Sequence, residues 1–509
     1  MSKNKYLYFL YFSVFFFLTL RILTLAIISN DRELPIEVDD SYSYISKSTF
    51  VENYKNNKLL ISSRKIVNDT FVLDKNNSTL QRYLRITDYT YTPNYLHSQL
   101  LIYFYNFGFS HEKIIWSLYY LGQLIILLSF YYLCKYFVSS KKNFIPIAIL
   151  FGSFSFLFFF HQLKSTPYSI GSALFIISFV LFSERKNALP IFLLVISLLF
   201  HPGIFIIAFV FIFSLIIYSF FYENNINIKR NLFFTSVIFL VLLIDFISVN
   251  FYGNRTFTYF FSHSDNFYNL SYIEIFLFNF KKWLSRINNI LGIYSYKYIG
   301  ILIYFFSLII VYKFNRKLFI FNINFLLLFI LSLLYYLPAH PAELLLYFGQ
   351  TFSIILICTN LYFYEYLYYL IRKTKSLSWN SILLFTAIFF ISTLFYSVTK
   401  VIKSRSERHN FPLYSNELIG INNDFQGYQI VLSDQFTLLM SIPYLKNLYG
   451  LLDNDILVNT KWVQNECNDR VLYFGFEKNE INVCNKNYLL HKHLVYKSGE
   501  YCISEFRAY

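Results

Sequence analysis

The sequence predicts an all-α polytopic membrane bundle of about eleven transmembrane helices carrying a small C-terminal α/β domain outside the membrane. Three observations predict it. Hydrophobic residues make up 56% of 509 and charged residues 14%, a balance typical of membrane chains and foreign to soluble ones. Apolar runs of the length a helix needs to cross hydrocarbon recur along the chain. From about Lys400 the runs stop, and a more polar stretch with strand and turn signals takes over. The 62 Phe and 47 Tyr suit lipid-facing surfaces and headgroup-level belts. With 14 Gly, close GxxxG crossings cannot be the main packing device.

The first run, Tyr6–Ile28, follows Lys3 and Lys5. It is longer than a signal-peptide core and lacks a small-x-small cleavage site, which predicts a retained anchor. Further runs cover 114–138, 144–160, 167–183, 188–200, 203–222, 232–250, 298–312, 318–337, 344–370 and 380–399. The runs at 144–160 and 188–200 are short enough for re-entrant or tilted elements. Cations gather in every second connector: Ser139–Asn143, Glu184–Asn187, Glu223–Arg230, Lys313–Lys317 and Arg372–Lys375. By the positive-inside rule these are cytoplasmic, so the N-terminus is cytoplasmic and the C-terminal domain extracytoplasmic.

That parity sends the loop 29–112, the corners His161–Lys164 and His201-Pro202-Gly203, the loop 251–297 and Pro338–Glu343 to the outer face. Tyr83–Tyr105 is rich in aromatic and aliphatic residues and predicts helices lying in the interface. Tyr272–Phe280, followed by Lys281, Lys282, Trp283 and Arg286, has the same character. Both loops would roof a lateral cavity open to lipid. The chain therefore divides into a transmembrane module, 1–399, and a soluble domain, 400–509. In the latter, Tyr428–Leu432, Ile456–Asn459 and Val471–Phe474 predict strands, Asp434–Leu448 a helix, and Ser498-Gly499-Glu500 the turn of a closing hairpin. No nucleotide-binding glycine loop occurs in it.

The net charge of +15 is scattered over short loops, without a basic helix or an aromatic-interleaved stripe. That pattern excludes nucleic acid as a partner and favours anionic headgroups or a phosphate-bearing lipid. Cys134 and Cys358 fall in apolar runs as core residues, while Cys467, Cys484 and Cys502 allow one disulfide with an odd thiol left over. No CxxC or Cys/His pairing argues for zinc.

Glu37-Val38-Asp39-Asp40-Ser41-Tyr42-Ser43-Tyr44-Ile45 follows the first span closely. Its adjacent carboxylates, Asp39 and Asp40, fit either an acidic N-cap for a helix from Ser41 to Phe50 or a catalytic base at the membrane surface. The two roles are compatible. A carboxylate whose pKa is raised by partial burial would deprotonate a sugar hydroxyl, while its neighbour would orient the acceptor or hold a divalent cation, Mg²⁺ or Mn²⁺. A phosphate leaving group needs positive charge nearby. Outer-face candidates are His161, Lys164, His201 and His340, with Arg82, Arg85 and His97 behind them. Snorkelling explains Lys164 equally well, and corner-capping His201 and His340. Glu343 is a first-turn acid or an acceptor contact, and Asp245, inside a span, must pair or neutralise itself.

With these residues in place the arrangement resembles the GT-C superfamily of membrane glycosyltransferases. Val38-Asp39-Asp40-Ser41-Tyr42-Ser43-Tyr44 is similar to that family's acidic motif in the first outer loop. Tyr91-Thr92-Pro93-Asn94-Tyr95-Leu96 looks like the Pro-containing segment later in it. A narrower resemblance, to EpsG-like, Wzy-type polysaccharide polymerases, runs from His161-Gln162 through Glu184-Arg185-Lys186 to Leu198-Leu199-Phe200-His201-Pro202-Gly203. There this chain has His-Gln where the family usually has Arg-Gln.

The resemblance implies a bacterial inner-membrane enzyme taking a sugar from a polyprenyl-phosphate or polyprenyl-diphosphate donor to a glycan or lipid acceptor on the outer face. It implies Asp39 or Asp40 as the acid/base and His161 and His201 as donor or acceptor contacts; Tyr42, Tyr44, His97, Lys164, His340 and Glu343 complete the candidate substrate contacts from the residues themselves. The alternative from another class, a transporter or flippase of lipid-linked oligosaccharides, predicts paired repeats and matching broken helices, neither of which is evident.

Overall fold

The computed structural model describes residues 3–29, 58–59, 61–62, 65, 95–138, 144–154, 167–184, 188–201, 204–222, 225–252, 274, 277, 280, 297–334, 341–374, 399, 415–432, 444–451, 470–476, 491–498 and 501–507. The described residues are mostly helical with one small sheet, and the chain divides into two compact units. The first comprises Met1–Ile27, Pro93–Leu96 and Ser117–Ser404; the second comprises Ile28–Thr92, His97–Trp116 and Arg405–Tyr509.

The helices of the first unit lie over the apolar runs. They are α1 (Lys3–Ser29), α3 (His111–Val138, from Ser117 on), α4 (Phe144–Phe154), α5 (Pro167–Ser183), α6 (Ala188–Phe200), α7 (Ile204–Tyr222), α8 (Asn225–Tyr252), α9 (Lys297–Phe314), α10 (Arg316–Leu334) and α11 (Pro341–Thr374); α2 (Tyr95–Asn106), which precedes α3, belongs from His97 on to the second unit. The stretches Asn4–Thr24 and Trp116–Val138 are each long and apolar enough to cross a membrane. At 1.5 Å per residue α4 and α6 reach only about 17 and 20 Å, short of the ~30 Å of a hydrocarbon core.

Phenylalanine fills the middle of this unit. Phe211 meets Phe179 at 4.7 Å, Phe321 at 5.2 Å and Phe175 at 5.6 Å in edge-to-face geometry, the arrangement ring quadrupoles prefer. Polar side chains tie the helices where no water reaches. Asn322 donates to Thr359 Oγ1 at 2.9 Å and accepts from the Tyr304 hydroxyl at 3.2 Å, joining α9, α10 and α11. Asn324 donates to Ser214 at 2.9 Å, joining α10 to α7. α5 and α6 pack closely: a Cβ on Gly171 would stand 2.3 Å from Ile204 Cδ1 and 3.0 Å from the Ser197 carbonyl, so a larger residue there would force its neighbours to move. Outward, Phe15, Phe220, Phe221, Phe239, Leu240, Phe306 and Ile309 are more than half exposed. In water each would forgo about 1.5–3 kcal/mol of burial, a cost that lipid surroundings remove.

Contacts fix which helix ends meet. Asn315, the single residue between α9 and α10, accepts from Leu318 N at 3.1 Å as the N-cap of α10, and its amide donates to the Phe137 carbonyl at 2.8 Å and to Tyr362 Oη at 2.9 Å. Lys135 near the end of α3 bonds Glu184 just after α5 at 2.7 Å. Arg316 sits 5.1 Å over the Tyr222 ring at the end of α7, and Arg230 near the start of α8 lies 5.4 Å over Phe182 at the end of α5. These termini form one end of the unit, its basic end. The starts of α5, α7 and α11 and the finishes of α4, α6 and α8 belong to the far end. The expected loop Lys313–Lys317 is a correction of detail: α9 and α10 run to within one residue of each other, so its cations sit on helix ends.

In the second unit five strands, β1 (Gln429–Leu432), β2 (Tyr449–Leu451), β3 (Arg470–Phe476), β4 (His491–Ser498) and β5 (Tyr501–Arg507), form a sheet in the order β2-β1-β3-β5-β4. β1 is parallel to β2 and β3, and β5 is antiparallel to β3 and β4. α12 (Ser415–Asp424) precedes it and turns into β1 through Gly427 at φ +82°, a left-handed conformation that glycine takes without strain. The hairpin and the strands at 429–432 and 470–476 match expectation. The expected helix Asp434–Leu448 does not extend to its predicted end: Tyr444–Leu448 is a turn that delivers β2 to the sheet edge, and Ile456–Asn459 lies outside the described residues. Residues of the loop after α1 join this unit: Lys58 N donates to the Lys446 carbonyl at 2.8 Å, and Gly450 N to Ser62 Oγ at 2.8 Å.

Candidate functional site

Asp39, Asp40, Tyr42, Tyr44, Arg82, Arg85, His161, Lys164 and His340 lie outside the described residues. For Asp245 and Glu343 the helix position alone is described, near the end of α8 and in the first turn of α11. Cys502 is buried in β5 beside Gly475 of β3, and its candidate partners Cys467 and Cys484 are likewise outside the described residues. Among the described residues no three His, Cys, Asp or Glu side chains gather as a metal would require.

Two of the expected site histidines are described. His97, on α2, is almost fully buried in the second unit. His201 closes α6 at the far end of the helical unit, its ring edge-on to Tyr168 of α5 at 5.3 Å. Desolvation pushes the His201 imidazole down to about 3. At neutral pH it is therefore an uncharged ring that donates and accepts hydrogen bonds.

The sequence reading passed over Arg21. It is fully buried on α1, its Nη1 donates to Gln123 Oε1 of α3 at 2.8 Å, and its guanidinium stacks 4.3 Å over Phe17. Arginine inside an apolar run is the signal that would have found it, because an intramembrane cation must face a protein interior and is costly to keep elsewhere. Its partner could not be read from sequence, since Gln123 is 102 residues away. The bond fixes α1 antiparallel to α3, with Phe17 also meeting Phe130 at 6.4 Å. Arg21 precedes the end of α1 by two turns, so it stands toward the helix end from which the chain runs on to Asp39 and Asp40.

In the second unit a shallow depression of ≈ 680 Å³ is lined by Tyr105, Asn106, Gly108, Phe109 and Ser110, and none of the expected site residues borders it.

No protein-family model matches the chain, and no curated protein matches it. Among solved structures it is similar to ArnT from Cupriavidus metallidurans, in a crystal structure with undecaprenyl phosphate bound, at 9% identity over 99% of this chain and 98% of that one, with a TM-score of 0.46. Overlap of that degree does not establish a shared fold.

Proposed function

We propose that this chain is an integral membrane glycosyltransferase of the GT-C kind, moving a sugar from a polyprenyl-phosphate or polyprenyl-diphosphate donor to a glycan or lipid acceptor at the outer membrane face. The observation that carries the reading is the acid pair Asp39-Asp40, ten residues after the first apolar helix. The helices that follow have apolar exteriors. The helix ends leading into His161–Lys164, His201 and His340 belong to the same end as the finish of α1, by the antiparallel packing of α1 on α3.

In this mechanism one carboxylate of the pair takes the acceptor hydroxyl's proton as its oxygen attacks the anomeric carbon, and the phosphate of the carrier leaves from the opposite face. Charge develops on that phosphate, and positive or hydrogen-bonding groups from the far-end corners stabilise it. Lys164 supplies charge; neutral His201 supplies a hydrogen bond. Single displacement predicts inversion at the anomeric carbon. Asp39 and Asp40 are also the residues that would hold a divalent cation if the departing phosphate needs one.

The test is transfer from a polyprenyl-linked sugar pool in membrane vesicles by Asp39→Asn and Asp40→Asn variants measured separately. The expected result is a loss of about 10²–10⁴-fold in at least one of them, with undiminished protein in the membrane. Two fully active variants would overturn the assignment of the site, and retained anomeric configuration in the product would overturn direct displacement.

A further inference from the structure

The basic end of the helical unit carries side chains that the proposed chemistry does not use. Lys313, Arg316, Lys317 and Arg230 sit at the adjoining ends of α7, α8, α9 and α10. Aromatic rings seat them. Lys317 Nζ lies 3.5 Å over Tyr136 and 5.8 Å from Tyr218, Arg316 lies 5.1 Å over Tyr222, and Tyr218 and Tyr222 pack on each other at 5.6 Å. Such stacking holds a cation at low entropic cost without neutralising it. Arg230, over Phe182, has an Nε with no hydrogen-bond acceptor among the described residues. Two acids are described at this end: Glu184, which is engaged by Lys135, and half-buried Glu365 on α11. In sequence, Lys141 and Lys142 lie between α3 and α4, and Arg185 and Lys186 between α5 and α6.

Directly beside these cations the helix exteriors turn apolar. Phe220 and Phe221 in the last turn of α7, Leu232 and Phe233 in α8, and Tyr312 and Phe314 in α9 are all exposed. Fixed positive charge bordering exposed aromatic rings is the profile of a headgroup layer above acyl chains, where phosphates meet the cations and rings rest at the boundary. A soluble acidic partner would match the charge and leave the rings in water.

We infer that this end of the helical unit is a docking surface for an anionic phospholipid leaflet: Arg316, Lys317, Lys313 and Arg230 take the phosphates, and the neighbouring Phe and Tyr side chains lie against the first methylenes of the acyl chains. The inference rests on the membrane reading above and not on the transfer chemistry. It also assigns the direction in which the helices cross, since the anionic leaflet is the cytoplasmic one.

The full-length protein in neutral detergent is titrated with phosphatidylglycerol, with phosphatidylcholine of the same acyl chains, and with inorganic phosphate. Melting temperature and lipid adducts, the latter by native mass spectrometry, are read in each arm. Phosphatidylglycerol is expected to bind and stabilise at concentrations where the other two do neither. The preference should weaken roughly fivefold for each cation removed in Arg316→Gln and in Arg316→Gln/Lys317→Gln. It should survive in Arg316→Lys, which keeps the charge, and in Lys113→Gln at the other end of α3.

Equal binding of the two lipids, stabilisation by phosphate alone, or full preference retained in both Gln variants would overturn the inference. Lys317 also packs on Tyr136, so exposed Arg316→Gln decides the matter if the double variant does not fold. A protein that stays dispersed without detergent would instead overturn the membrane reading, and loss of transfer leaves this binding untouched.

Discussion

The two ends of the helical unit are built by different physics. At the basic end helices are joined by polar bonds: Asn315 alone caps α10 and reaches α3 and α11, and Lys135 bonds Glu184 across α3 and α5. Toward the far end shape works beside the Arg21–Gln123 bond: Gly171 admits α6 and Ile204 to within contact of the α5 backbone, and His201 lies edge-on to Tyr168. Polar bonds and aromatic seats at one end hold cations in place without neutralising them. Close packing at the other holds the His201 ring still against Tyr168.

The largest blow to this contrast should come from the packed end. Gly171→Val drives a side chain into Ile204 and the Ser197 carbonyl, and is expected to cost about 1–3 kcal/mol in thermal unfolding of the detergent-solubilised protein. Adding Ile204→Ala should recover part of that. An unchanged melting temperature in Gly171→Val would mean that α5 and α6 are not in contact as described. Next comes Asn315→Ala, which removes a cap and two interhelical bonds and should cost about 1–2 kcal/mol. Asn315→Asp, which keeps the cap but loses the amide donors, should fall between.

The smallest effect is pH-dependent. The folded-state pKa of His201 is held well below that of an unfolded histidine, so its contribution is intact above about pH 6.5 and is lost as pH falls from there toward 3. The melting temperature of the wild type should therefore fall more steeply below pH 6.5 than that of His201→Gln. Parallel profiles would show that the imidazole is not desolvated.

The helices were legible because in this chain an apolar run and a helix are the same object: Tyr6–Ile28 falls inside α1 and 167–183 coincides with α5. Their ends were less legible. The three cations of Lys313–Lys317 read as a loop, yet Arg316 and Lys317 belong to the first turn of α10, since an Asn cap needs one residue and no more. In the second unit Leu445 and Leu448 fall at the end of the stretch 434–448 that reads as a helix. The structure instead buries both in a turn before β2, because the parallel register of β2 on β1 outweighs local propensity. For the candidate site, the acid pair was visible as composition out of place, carboxylates just beyond an apolar run. Arg21 was equally out of place, but its meaning depends on Gln123, and nothing local in a sequence pairs residues on two separate helices.

The hydrogen bond between Ser62 and Gly450 joins residues 388 positions apart. At translation rates of about 5–20 residues per second, the early loop waits roughly 20–80 s for the strand that completes it. Throughout that interval Ser62 has no Gly450 N–H to accept from. A chain halted before Tyr449 would therefore hold every helix from Lys3 to Thr374 and still lack this link.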